Sequence, residues 1–175
     1  MSAEVKKEII SWLKTIAFSI ILVVIIKQFL FTPVTVKGDS MIPTFHDSNR
    51  IIVTKWNKIH RFDMVVFHAP DKKEDYIKRV IGLPGDKIEA KHDVLYINGK
   101  KYKEGYVNKN KADSFLGDEI TGTFTMTVPK GKLFVMGDNR GNSTDSRIFG
   151  PIEEDSVIGK VQFRFYPLDE VGVPK

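Results

Sequence analysis

The chain has 175 residues, 42% of them apolar and 28% charged, with a formal charge of +5 and no cysteine. That length suits one ordinary domain or a small domain with an appendage, and the composition permits a packed core and excludes global disorder. Disulfides and thiolate metal sites are excluded too. His46, His60, His68 and His92 are scattered without metal-ligand spacing, so neither a metal nor another cofactor is expected. Lysine and arginine are dispersed along the chain, which points away from nucleic acid and toward anionic lipid headgroups as the fitting polyanion.

Residues 1–8 include Lys6 and Lys7, and residues 9–31 read IISWLKTIAFSIILVVIIKQFLF. A helix of that length extends about 35 Å, enough for a hydrocarbon core of roughly 30 Å. The strictly uncharged run, Thr15 to Ile26, is shorter, so Lys14 and Lys27 have to reach toward opposite headgroup layers. Trp12, Phe29 and Phe31 suit the two interfaces. Apolar residues fall on every face from Ile16 to Ile26, unlike the one-sided pattern of a soluble-core helix. No pair of small residues follows to mark a signal-peptide cleavage site. Residues 9–31 are therefore expected to be an uncleaved single-pass anchor, with a cytoplasmic amino terminus and residues 32–175 outside the cytoplasm.

Beyond Pro33 the helical pattern stops and short β-branched and aromatic runs take over. They are Val34–Val36, Arg50–Lys55, Met64–His68, Tyr76–Ile81, Lys87–Ala90, Val94–Ile97, Thr123–Val128, Lys132–Met136 and Val157–Phe165. Asn98-Gly99 is a two-residue hairpin signal. Gly82-Leu83-Pro84-Gly85-Asp86 and Val128-Pro129-Lys130-Gly131 read as turns. The expected fold is mostly antiparallel β, with little helix after the anchor. Residues 99–122, with Lys100, Lys101, Lys103, Lys109 and Lys111, read as a solvated excursion.

Two stretches carry the chemistry. Lys37-Gly38-Asp39-Ser40-Met41-Ile42-Pro43-Thr44-Phe45 places one serine nine residues after Phe31, within roughly 30 Å of chain from the end of the anchor. A serine hydroxyl needs a base. Lys78 lies 38 residues on, in Asp75-Tyr76-Ile77-Lys78-Arg79-Val80-Ile81. A solvated lysine, with a pKa of about 10.4, is charged at neutral pH, and burial can lower that value by ~3–5 units. On a strand Lys78 shares a face with Tyr76 and Val80, and Arg79 points toward solvent or an acidic partner.

Together the two stretches resemble the type I signal peptidases, membrane-bound serine–lysine proteases that remove signal peptides from exported proteins. Arg61-Phe62-Asp63-Met64-Val65-Val66-Phe67 and Gly137-Asp138-Asn139-Arg140-Gly141-Asn142-Ser143-Thr144-Asp145-Ser146-Arg147 extend the resemblance in order along the chain. The sequence departs from the family at Phe62, where glycine is usual, and at Gly38, where some members have a hydroxyl for the oxyanion. The resemblance implies an antiparallel β peptidase fold with a small inserted β subdomain at about residues 88–128, of the Gram-positive bacterial type. It implies Ser40 as nucleophile and Lys78 as base, with Ser143 orienting the lysine. Asp138 and Asn139 would shape the site, and Asp145 and Arg147 would form a supporting ion pair. Val36, Met41, Tyr76 and Ile77 would narrow the pocket for the residue before the cut, with Val34 and Val66 lining the next pocket but one. Such small pockets imply cleavage after Ala-x-Ala in pre-protein signal peptides at the lipid bilayer, with no metal and no nucleic acid involved. For each pocket residue, plain core packing is an equal alternative. For Asp138, Asn139 and Asp145, structural support of the loop is the stronger reading.

Two other readings share these residues. One is a serine–lysine protease that cuts itself or a regulatory partner, for which a soluble chain with a DNA-binding module is the usual form. The other is an anchored, non-catalytic β domain, against which the joint presence of Ser40 and Lys78 argues.

Overall fold

The computed structural model describes residues 3–29, 31–55, 58–107 and 119–174. It divides into two compact units, Met1–Thr32 and Pro33–Lys175. The first is essentially one helix, α1 (Ala3–Phe29). It contains neither glycine nor proline, so nothing breaks the backbone pattern. Its side chains from Glu4 to Val24 are exposed, Trp12 and Phe18 among them. The span expected at residues 9–31 runs past these described side chains. Among the described residues, no helix is long and apolar enough to cross a membrane.

The second unit is mostly β. Its first four strands are β1 (Phe31–Thr35, starting just before the unit boundary), β2 (Arg50–Thr54), β3 (Met64–His68) and β4 (Asp75–Gly82). Then come β5 (Lys87–Lys91), β6 (Val94–Ile97), β7 (Lys100–Tyr102) and β8 (Phe124–Thr127). After β9 (Lys132–Met136) the chain makes a single helical turn, α2 (Ser146–Phe149), and ends with β10 (Ile152–Glu153) and β11 (Val157–Tyr166). A seven-stranded sheet has the order β1-β2-β11-β3-β4-β9-β10, and a four-stranded sheet the order β7-β6-β5-β8. The registered strand pairs are antiparallel.

Alternation explains why β3 and β4 sit in the middle. Met64 and Val66 of β3 join one buried cluster with Ile51, Val53 and Ile77, whereas Val65 and Phe67 join another with Val80, Leu133 and Val135. Successive strand residues face opposite ways, so an apolar run with no polar position requires cover on both faces. A third cluster (Ile81, Ile88, Leu95, Ile97, Val128, Phe134 and Met136) joins the two sheets. The smaller sheet is thus an insertion between β4 and β9, packed on the larger one.

Asn98 and Gly99, both at positive φ (53° and 77°), make the tight turn between β6 and β7. Residues 99–122 are not simply a solvated excursion, because Glu104, Val107 and Thr121 are buried. Lys109 and Lys111 lie outside the described residues. The sequence reading did not contain β10 or α2, which at two and four residues are too short to show a period.

Candidate active site

Ser40 lies in the loop between β1 and β2, and that loop is fixed at many points. Met41 and Phe45 are fully buried in the first core cluster. The Phe45 N–H donates to the Met41 carbonyl at 2.9 Å, and the Ser48 N–H to the Val36 carbonyl at 2.9 Å. From β11, Arg164 donates to the Thr44 carbonyl at 2.9 Å. Asn139 holds the loop from the other side, its N–H donating to the Ser40 carbonyl at 3.0 Å and its side-chain amide to the Asp39 carbonyl at 3.1 Å. Among the described residues, the Ser40 N–H donates to no protein acceptor, while the Gly38 N–H is taken by Asp47 Oδ1 at 2.9 Å.

Lys78 stands in β4, between β3 and β9, and is only 4% exposed. Its Nζ lies 2.7 Å from Ser40 Oγ and donates to the Ile77 carbonyl at 3.1 Å. The Tyr76 ring centroid is 5.0 Å from Nζ, which puts Tyr76 and Lys78 on one face. Burial pushes the ammonium down to about 8, with the more distant charges of Asp145, Asp138 and Asp71 pulling the other way. At pH 7 a group at about 8 is roughly one-tenth neutral, against about one part in 2,500 for an ordinary lysine. A neutral amine at 2.7 Å can take the hydroxyl proton.

Gly137 to Arg147 wrap this pair. Arg79 forms a two-pronged ion pair with Asp138, Nε to Oδ1 at 2.9 Å and Nη2 to Oδ2 at 2.6 Å, and both are buried. Thr44, four residues after the serine, donates to the same carboxylate. The remaining Arg79 nitrogen donates to the Phe62 carbonyl at 2.9 Å. Phe62 itself is at φ +71°, a left-handed conformation that glycine adopts without steric cost, which accounts for the family's usual residue there. Here the ring offsets that cost by packing on Tyr102 at 5.5 Å.

Asp145 caps α2 and accepts from the Gly137 N–H and from Arg147 Nε and Nη2, each at 2.9 Å. Burial raises the Asp145 carboxyl, but the hydrogen bonds and charge of Arg147 and the Gly137 N–H outweigh it and hold it below the usual range. The Ser143 hydroxyl adds slightly to that lowering, yet among the described residues no group lies within hydrogen-bonding geometry of its buried Oγ. Ser143 therefore stands beside the dyad without bonding Lys78. Gly137 makes this crowding possible, since a Cβ there would lie 2.2 Å from Ser143 Oγ and 2.5 Å from the Ser40 carbonyl oxygen.

A groove of about 800 Å³ opens over Ser40 and Lys78. Val34, Val36, Val66, Tyr76, Ile77 and Ser143 line it, and Val36, Val66 and Ile77 belong to the core as well. Met41, expected in the pocket wall, is absent from the lining. Its side chain is spent anchoring the loop in the first core cluster. The sequence reading missed Thr44 and the cluster of Glu104, Tyr106 and Arg140, in which the buried Arg140 is ion-paired with the buried Glu104. The partners are 36 residues apart, and no local pattern links them.

The family model described as signal peptidase, peptidase S26, matches residues 9–166. A signal peptidase IB of Staphylococcus aureus (strain COL) is 47% identical over 180 aligned positions, covering 94% of this chain and 93% of that protein. A signal peptidase I P of Bacillus subtilis subsp. natto is 45% identical, covering 95% of this chain and 94% of that protein. The crystal structure of a signal peptidase I from Enterococcus faecalis superposes with a TM-score of 0.57 at 40% identity, over 59% of this chain and 97% of the other. With the family match extending from α1 through β11, the chain belongs to the signal peptidase family of S26 peptidases, which are hydrolases.

Proposed function

We propose that this chain removes signal peptides from exported pre-proteins at a membrane surface, with Ser40 as nucleophile and Lys78 as general base. The observation that carries this reading is the 2.7 Å approach of a buried lysine amine to a serine hydroxyl at the floor of the groove. Neutral Lys78 takes the Ser40 proton as Oγ attacks the scissile carbonyl, and then gives it to the leaving amine. The resulting acyl-enzyme is hydrolysed by a water that Lys78 activates in turn. The Ser40 N–H serves the oxyanion. Ser143, whose hydroxyl has no hydrogen-bond partner among the described residues, is assigned to orient Lys78 during turnover. Asn139, Asp138 and the Asp145–Arg147 pair hold the loops.

The substrate lies extended in the groove as an added strand with alternate side chains inward. Walls of Val34, Val36, Val66, Tyr76 and Ile77 leave room for small residues, hence Ala-x-Ala. Residues 9–31 serve as a single-pass anchor with the amino terminus in the cytoplasm and the catalytic unit outside, supported by the apolar run and the exposed α1 side chains. The test is cleavage of a pre-protein with an Ala-x-Ala site in liposomes, beside Ser40→Ala and Lys78→Met. Cutting by the wild type and loss in both variants is expected. Cutting that survives Lys78→Met would remove the lysine from the mechanism, and a folded wild type that never cuts would leave a binding domain.

A further inference from the structure

Tyr106 belongs to the segment that follows β7 in the inserted sheet, far in sequence from the dyad. Two guanidiniums lie close to its ring, with the Arg79 Cζ 4.0 Å and the Arg140 Cζ 5.9 Å from its centroid. Its hydroxyl donates to Glu104 Oε1 at 2.8 Å, and Glu104 is ion-paired with Arg140. Arg140 in turn donates from Nε to the Gly137 carbonyl at 2.9 Å. Thus one of the two arginines on Tyr106 holds Asp138 and, through it, Thr44 of the nucleophile loop. The other holds the carbonyl of Gly137, the glycine pressed against both Ser143 and Ser40.

We infer that Tyr106 is a positioning residue for catalysis, by which the inserted sheet clamps the nucleophile loop and the Gly137–Arg147 loop into one arrangement. This inference rests on the Ser40–Lys78 reading. Two like charges near one ring are held only because each arginine has its own carboxylate, Asp138 or Glu104, and the π face then attracts both. The aromatic ring, not the hydroxyl, is the working part, because Arg140 keeps Glu104 paired without it. A ring at this place fixes the Arg79 guanidinium in the plane that gives Asp138 two hydrogen bonds.

The clamp has an electrostatic consequence besides a geometric one. The Asp138 carboxylate favours the charged form of Lys78, and Arg79 offsets that carboxylate while it is held against it. With the ring gone, Arg79 loosens, Asp138 acts on Lys78 less opposed, and the lysine becomes harder to deprotonate.

The experiment compares wild type, Tyr106→Phe and Tyr106→Leu in the full chain, cutting a pre-protein with an Ala-x-Ala site in liposomes across pH 6 to 10. Tyr106→Leu is expected to lose about 10-fold in kcat with KM nearly unchanged, and its alkaline rise in rate moves up by about half a pH unit. Tyr106→Phe retains the wild-type midpoint and most of the rate. If thermal melting shows Tyr106→Leu unfolded, Tyr106→Met takes its place, filling similar volume without a π face. A wild type that cuts while the leucine or methionine variant keeps both rate and midpoint overturns the inference alone. So does a phenylalanine variant as impaired as the leucine one. A wild type that does not cut overturns the function and the clamp with it.

Discussion

Lys78 concentrates the conflict between folding and chemistry. Its folded value of about 8 lies below that of a free lysine because burial disfavours the ammonium. Below pH 8 both folded and unfolded chains hold the proton, and the folded state bears the burial cost in full. Between about 8 and 10.4 the unfolded chain binds more protons, so stability rises with pH until the cost is gone. The size of the effect is of the order of 1–3 kcal/mol. Lys78→Met should therefore melt several degrees above wild type at pH 7 in calorimetry, with the gap closing above pH 10, while being inactive. A melting point unchanged or lowered at pH 7 would mean that the hydrogen bonds to Ser40 Oγ and the Ile77 carbonyl outweigh the burial cost. The rate should move in the same direction, rising through pH about 8 as the amine becomes neutral.

At the scale of elements, the site is a meeting of three segments that strands hold in place. β4 brings Lys78, the loop after β1 brings Ser40, and the loop after β9 brings Gly137 to Arg147. The last two touch through Asn139 and through the bare face of Gly137. A methyl group at Gly137 has to displace Ser143 or the Ser40 carbonyl. Gly137→Ala should then lose about 100-fold in kcat, with KM little changed, as steady-state cleavage of an Ala-x-Ala pre-protein would show. In the proposed mechanism the affected groups are at the reacting centre rather than in the groove walls. A variant with wild-type kcat would show that the loops part without harm.

The whole molecule combines a helix whose described side chains, apolar for the greater part, are exposed with a β unit carrying its own three core clusters. Because those clusters lie within Pro33–Lys175, removal of residues 1–29 should leave the β unit folded, with its melting transition shifted by no more than about 1 kcal/mol. The shortened chain should still cut a soluble Ala-x-Ala peptide. Full-length protein should float with liposomes in a density gradient and the shortened chain should not. Flotation of both would assign membrane attachment to the β unit instead.

Some of this was written in local sequence. Strand positions such as Met64–His68 and Val94–Ile97 follow from runs of β-branched and aromatic residues, and Asn98-Gly99 names its own turn. Ser40 and Lys78 were legible because each sits in a recognisable string, and the alternation of β4 already placed Tyr76 beside the lysine. Tertiary structure alone decided the rest, since it depends on which distant groups are brought together. Met41 went into the core rather than the pocket wall because the loop needed an anchor. Phe62 took a left-handed backbone because Arg79 needed its carbonyl. Tyr106 meets two arginines, and Arg140 meets Glu104, because the inserted sheet packs on the larger one. Periodicity reports neighbours within a few residues, whereas burial, ion pairing and the depressed lysine arise from contacts between segments tens of residues apart.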